Sequence, residues 1–205
     1  MRFLDALTDI ESRWFDFSRG VETDRPTALH HLSLAGRAED GQSYAAARPG
    51  GIRMALRGLP IKDFSAFTFV DLGSGKGRAL MIAAEYKFRR ILGIEFAREL
   101  HEAAERNLTA WKKRYRPGMD VESVHADALD YHFPEEPLVI YYFNSFAPAA
   151  AAKVLTRLGT SLAEKPREVY VIYMFPKSPE VFERATFLTA WKKVRRYHIY
   201  EAVNR

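Results

Sequence analysis

Asp71, Glu95 and Asp127 each follow a short apolar run, and the first acid leads into glycines at 73, 75 and 77 in "FVDLGSGKGRAL". Glycine has no Cβ, so backbone built from alternate glycines can lie directly against a ligand. A carboxylate at the end of a strand meets a cation or accepts from hydroxyls. Glu95, closing the second run, can take both hydroxyls of a ribose, and Asp127, in "HADAL", adds a third acid. Three acids around one glycine turn describe a site for a nucleoside that carries positive charge where a dinucleotide carries phosphate.

The better-known glycine turns fit poorly. A phosphate-cradling loop needs G-x-x-x-x-G-K-[ST], but Val70 stands at the first glycine and Gly77 at the hydroxyl position. A nucleophile elbow needs G-x-S-x-G, whereas Ser74 lies directly between Gly73 and Gly75. A dinucleotide fingerprint needs a third glycine where Arg78 stands. Too little chain follows for a full substrate domain. The six histidines show no ligand spacing, and no H-E-x-x-H occurs, so no metal is expected.

These residues need a scaffold. The chain has 205 residues, no cysteine and a net charge of +5. It is long enough for one domain with an appendage, and it lacks disulfides and thiolate metal sites. The N-terminus has no apolar signal core, and the longest uncharged run, "PLVIYYFNSFAPAAAA", is too short to span a bilayer. The expectation is a cytoplasmic protein with no membrane partner. From Phe67 onward strands and helices alternate: "FTFVDL", "RILGIEF", "DVESVHA", "PLVIYYF" and "EVYVIYMF" read as strands separated by helical patterns. "FLTAWKKV" and "YHIYEAV" close the chain as a strand pair around Arg195-Arg196. Such alternation predicts a Rossmann-like, doubly wound, mostly parallel α/β sheet, with its ligand outside the carboxyl ends of the strands. Residues 1–60 read as a separate helical segment. There Phe3, Leu4, Leu7, Ile10, Trp14 and Phe15 recur at helical spacing, and a second helix is expected between Tyr44 and Leu59.

At this point the sequence resembles the class I, seven-strand S-adenosylmethionine-dependent methyltransferases. "VDLGSGKGR", "GIEF", "HADAL" and "YFNSF" are similar to four of their motifs, over residues 67 to 205. The resemblance implies S-adenosyl-L-methionine as cofactor and a seven-stranded sheet with a C-terminal antiparallel hairpin. It implies domains at 1–60, a lid or substrate segment, and 61–205, the cofactor-binding unit. Asp71 and the turn at Gly73, Ser74, Gly75 and Gly77 would hold the methionine moiety, and Glu95 the ribose. Phe96 would pack near the adenine, with Asp127 and Ala128 at its amino group. Asn144 and Phe146 match an Asn-x-aromatic pattern of amine methyltransferases, although Ser145 replaces the usual proline. There Asn144 would accept from the target N–H and Phe146 would pack on the target. The implied acceptor is an amine nitrogen, on a protein lysine or a small molecule, with a nucleic-acid methyltransferase or a non-catalytic cofactor-binding protein as alternatives. "FDFSRGVETD" with Tyr44 resembles the segment preceding the glycine motif in a bacterial group of these enzymes, and Tyr44 is taken as a substrate contact.

Each assignment has a plainer rival. Glu95 also reads as an exposed strand-end acid, Phe96 as core, Asp127 as the cap of "ALDY", and Asn144 as the cap of the helix after it. Arg89-Arg90 and "KKRYR" read as solvated charge away from the ligand. Lys192, Lys193, Arg195 and Arg196 reach the ligand edge if the sixth strand runs parallel to the others.

Overall fold

The structure, a computed structural model, describes residues 2–27, 44–115, 117–143 and 147–203, with side chains from residue 10 onward. Asn144, Phe146, His30 and His31 lie outside the described residues.

Seven strands form one sheet in the order β3-β2-β1-β4-β5-β7-β6. They are β1 (Thr68–Leu72), β2 (Arg90–Glu95), β3 (Val121–His125), β4 (Leu138–Tyr142), β5 (Val169–Met174), β6 (Leu188–Val194) and β7 (Tyr197–Ala202). The first five are parallel, and β7 runs antiparallel to both β5 and β6. β1, β4 and β5 are buried at every position, because helices cover both faces. That is why they read as continuous apolar runs rather than as alternation.

The helices are α1 (Arg2–Arg19), α2 (Pro49–Arg57), α3 (Arg78–Ala83), α4 (Arg98–Tyr115), α5 (Pro148–Glu164) and α6 (Pro179–Glu183). One face of the sheet, with Phe69, Ile91, Tyr141 and Ile172, packs on Phe15, Ile52, Leu56, Leu80, Met81, Leu108 and Trp111 from α1 to α4. The other face, with Val70, Leu92, Ile140 and Val171, packs on Val154, Leu155, Leu158 and Phe182 from α5 and α6. No described helix is long and apolar enough to cross a membrane.

The N-terminal helices belong to the first of these cores. α2 opens with Pro49 at its first turn, where a missing N–H costs nothing, and buries Ile52, Ala55 and Leu56. Glu11 of α1 accepts from Gly50 N at 2.6 Å, so a carboxylate caps the positive end of α2. In α1 the apolar spacing misleads. Ile10 and Trp14 are 61% and 64% exposed, while Phe15 is 2% exposed and Ser12 is buried beside it. The buried side carries polar bonds that Ser12 and Asp16 accept from Arg78, and it is not the widest apolar stripe.

The last two strands settle where the basic turn lies. β6 is parallel to β5, so the Arg195-Arg196 turn emerges at the carboxyl edge of the sheet, where Phe175 N donates to the Arg196 carbonyl at 2.7 Å. β6 carries a register shift at Trp191, between Ala190 and Lys192, and is exposed from Thr189 onward.

Candidate functional site

The chain leaves β1 for β2 on one side and reaches β4 on the other, so the strand order reverses at β1. A crevice opens at such a point outside the carboxyl ends of the strands, and the glycine turn fills its floor. Gly73 N and Ser74 N donate to the Ile94 carbonyl at 2.8 and 3.2 Å, tying the turn to β2. Gly73, Gly75 and Gly77 have φ of +77°, +54° and +85°, which lets the chain double back before α3. Gly93, in β2, is needed for another reason: a Cβ there would stand 2.6 Å from both Ser74 Oγ and Leu80 Cδ1.

The acids converge on this turn. Glu95 is buried, and its Oε2 accepts from Gly75 N at 2.7 Å while Oε1 accepts from Ala97 N at 2.9 Å. Burial raises its pKa, and backbone N–H groups of Ala97, Gly75 and Phe96 oppose that rise. Asp71 is 3% exposed and forms no ion pair with a described residue. Burial holds its carboxyl well above the ordinary range, and the charge of Glu95 pushes the same way. Two further groups point to a missing partner. Ser74 Oγ and the hydroxyl of Tyr141, Asp71's register neighbour on β4, are buried with no hydrogen bond to a described residue. A turn that leaves one buried carboxylate, Asp71, and two buried hydroxyls wanting partners, beside a second carboxylate already held by backbone N–H groups, fits a ligand that is cationic and rich in hydroxyls.

The rest of the predicted set is partly assembled. Phe96 is half-buried beside Glu95, and its carbonyl lies 3.1 Å from His125 Nε2. Ala126 N donates to the Glu95 carbonyl at 3.1 Å, which brings the end of β3 against the end of β2. Asp127 Oδ1 accepts from Leu129 N at 2.8 Å, an Asx-type turn, and Ala128 is buried in the core under α5. Phe143, just before the undescribed Asn144, packs 5.9 Å from Phe175, whose φ is +45°. A bulky residue in that backbone region is unusual and marks a constrained strand end.

Tyr44 lies directly against the glycine turn. Its ring lies against Gly75, so that a Cβ there would be 2.2 Å from Cε2. Its hydroxyl donates to the Thr23 carbonyl at 2.7 Å. The residues that hold this arrangement escaped the reading of the sequence. Lys76 is buried, with Nζ 2.9 Å from Glu22 Oε1 and from the Arg25 carbonyl. Arg78 is 2% exposed and reaches Ser12, Asp16, Thr23, Asp24 and Ala47. Asn107 of α4 donates to the carbonyls of Glu22 and Lys76, both at 3.0 Å. The signal was charge complementarity: "DFSRGVETD" is acidic where "GKGR" is basic.

Solved structures with the same architecture include magnesium protoporphyrin IX methyltransferase from Synechocystis PCC 6803 with bound SAM. The match has a TM-score of 0.57 at 10% identity over 76% of this chain and 78% of that one. The fold is that of the class I methyltransferases. A predicted N6-adenine-specific DNA methylase from Listeria monocytogenes matches with a TM-score of 0.55 at 13% identity, over 78% of this chain and 52% of that one. A ribosomal-protein methylase from Lactobacillus delbrueckii subsp. bulgaricus matches with a TM-score of 0.52 at 15% identity, over 76% and 77%. No protein-family model and no curated protein matches the sequence.

Proposed function

We propose that the protein is an S-adenosylmethionine-dependent methyltransferase acting on an amine nitrogen. The observation that carries this reading is the glycine turn at the reversal of strand order, with Asp71 and Glu95 buried beside it and raised in pKa. Asp71 would meet the ammonium of the methionine moiety, aided by the turn at Gly73 and Ser74. Glu95 would accept from the ribose hydroxyls with the lone pairs left free by Gly75 and Ala97. Phe96, Asp127 and Ala128 would border the adenine. The bound cofactor supplies a methyl group on a cationic sulfur that departs neutral, so the protein's contribution is positioning rather than acid catalysis. Asn144 would accept from the acceptor N–H and aim its lone pair, and Phe146 would pack on the acceptor. Residues 1–60 would shape acceptor choice over the cofactor unit at 61–205.

The acceptor is read as a protein lysine or a small-molecule amine, from Asn144-x-Phe146. A nucleic-acid acceptor is the second reading. It is favoured by the basic turn at Arg195-Arg196, exposed at the carboxyl edge with Trp191 and Lys192 on the strand before it. Calorimetry tests the cofactor: S-adenosylmethionine and its demethylated product should bind, and NAD should not. Labelled methyl transfer into protein, RNA and small-molecule fractions of a lysate then tests the acceptor. With that acceptor, Asn144→Ala should keep cofactor affinity and lose turnover by about 30- to 100-fold, the worth of a positioning bond of ~2–3 kcal/mol. Full turnover in this variant would remove Asn144 from the mechanism.

A further inference from the structure

The tail of the glycine motif does more than begin a helix. Gly75 is approached from two sides: its N–H donates to Glu95, and the ring of Tyr44 covers the face where a side chain would be. Any ligand held by Glu95 therefore lies within one residue of that ring. The ring is fixed at several points. Its hydroxyl is anchored on the Thr23 carbonyl, its backbone pairs with Thr27, and Lys76 Nζ sits 5.4 Å from the ring centroid. Thr23 is in turn held by its own bonds. It is fully buried, its N–H and hydroxyl both donate to Asp16, at 2.6 and 2.5 Å, and its Oγ1 accepts from Arg78 Nε at 2.7 Å. Arg78 is three residues beyond Gly75, so the contacts close a circuit: Gly75, Arg78, Thr23, Tyr44 and Gly75 again.

Resting on the cofactor reading above, we propose that Tyr44 is a wall of the cofactor site and that Arg78 is the positioning residue that sets its ring there, through Thr23. A flat ring whose hydroxyl end is sunk and whose residue remains partly accessible offers an apolar edge to the ligand beside Glu95. Arg78 suits the task because its planar fork reaches partners on three sides at once: Thr23 through Nε, Ser12 and Ala47 through one terminal nitrogen, and Asp16 and Asp24 through the other. Lysine presents a single point charge and cannot hold the same set. The glycine turn thus carries, within one stretch of "GSGKGR", the backbone for the ligand and the anchor for the residue that encloses it.

The test is a double-variant cycle read by calorimetric binding of S-adenosylhomocysteine, the unreactive product. Tyr44→Ala should weaken binding about tenfold, the worth of one aromatic packing contact. Tyr44→Phe, which keeps the ring and loses only its anchor, should weaken it about two- to threefold. Arg78→Lys should weaken binding about fivefold in the wild-type background but less than about twofold when Tyr44 is already alanine, because it acts through that ring. Equal losses in both backgrounds would reduce Arg78 to general support of the fold and overturn its positioning role. Unchanged affinity in Tyr44→Ala, with wild-type binding intact, would overturn the assignment of Tyr44. Should the wild-type protein itself bind no product, the cofactor reading falls and this assignment falls with it. Thermal unfolding midpoints, taken on the same samples, show that each variant is folded. Tyr44→Phe keeps the packing and secures the cycle if Arg78→Lys unfolds.

Discussion

Gly75→Ala isolates what the glycine turn requires. Two terms oppose the added methyl. The residue has φ of +54°, and holding an alanine there costs ~1–2 kcal/mol. The new Cβ would also stand 2.2 Å from Tyr44 Cε2 and 2.6 Å from Cδ2, a clash with a ring tied down at its hydroxyl, and overpacking of this sort costs ~1–3 kcal/mol. A smaller term acts the other way, since alanine restricts the unfolded chain and returns ~0.4–1 kcal/mol. The net loss is ~1–4.6 kcal/mol, which lowers the urea midpoint by roughly 0.3–1.5 M at a slope of ~3 kcal/mol/M. Tyr44→Ala removes the clash and leaves the backbone strain. In the double variant the two losses should therefore fall short of their sum by ~1–3 kcal/mol. The assay is equilibrium urea unfolding of the four proteins, followed by circular dichroism. Additivity within about 0.5 kcal/mol would refute the argument, because it would mean that the ring does not occupy that face of Gly75.

Three other outcomes follow from the same geometry. Asp71's carboxyl is raised in the folded protein, so the stability linked to it is complete below the ordinary carboxyl pKa of ~3.9 and is lost as pH rises through the folded value. Without ligand, Asp71→Asn should thus melt higher than wild type at pH 8, with the gap narrowing as pH falls, while binding S-adenosylmethionine less tightly; a gap independent of pH would refute it. Reversing the charge of Arg195 and Arg196 should impair turnover of an anionic macromolecular acceptor without changing cofactor affinity, and the impairment should shrink with added salt; unchanged turnover at low salt makes that turn ordinary surface. On α1, Phe15→Ala should cost ~3–5 kcal/mol and Trp14→Ala no more than ~0.5 kcal/mol in urea unfolding, although the two residues are adjacent.

The central sheet was legible because burial on both faces leaves little choice of residue. "FTFVDL", "PLVIYYF" and "EVYVIYMF" are apolar at nearly every position, and an acid stands where the first strand and "RILGIEF" meet the ligand edge. Asp71 and Glu95 stood out for the same reason: an acid that ends a buried strand violates the pattern around it. The register of α1 was not legible. Of the stripe that periodicity favours, Phe15 is buried but Ile10 and Trp14 face outward, and Ser12, outside that stripe, is buried beside a guanidinium more than sixty residues away. The meaning of Gly75 was hidden in a similar way. The reading that bare backbone invites a ligand was incomplete, because a side chain from residue 44 takes that face first. Lys76 and Arg78 were weighed only against loop motifs, since nothing local shows that Glu22, Asp16 and Asp24 come to them.

The span of these contacts along the chain has a consequence for biosynthesis. Glu22 and Asn107 exchange backbone–side-chain bonds across 85 residues, and Ser12 waits for Arg78 across 66. At ~5–20 residues per second the Glu22–Asn107 interval alone lasts about 4–17 s. For much of it the first helix lacks Arg78 and Asn107 and has Phe15 uncovered on one side and Ile10, Trp14 and Phe17 on the other. The nascent chain is then at its stickiest before any of the sheet beyond β2 exists. The N-terminal helix is accordingly a natural early client for a chaperone, since the core that takes Phe15 is complete only when β4, β5 and β7 have followed α4.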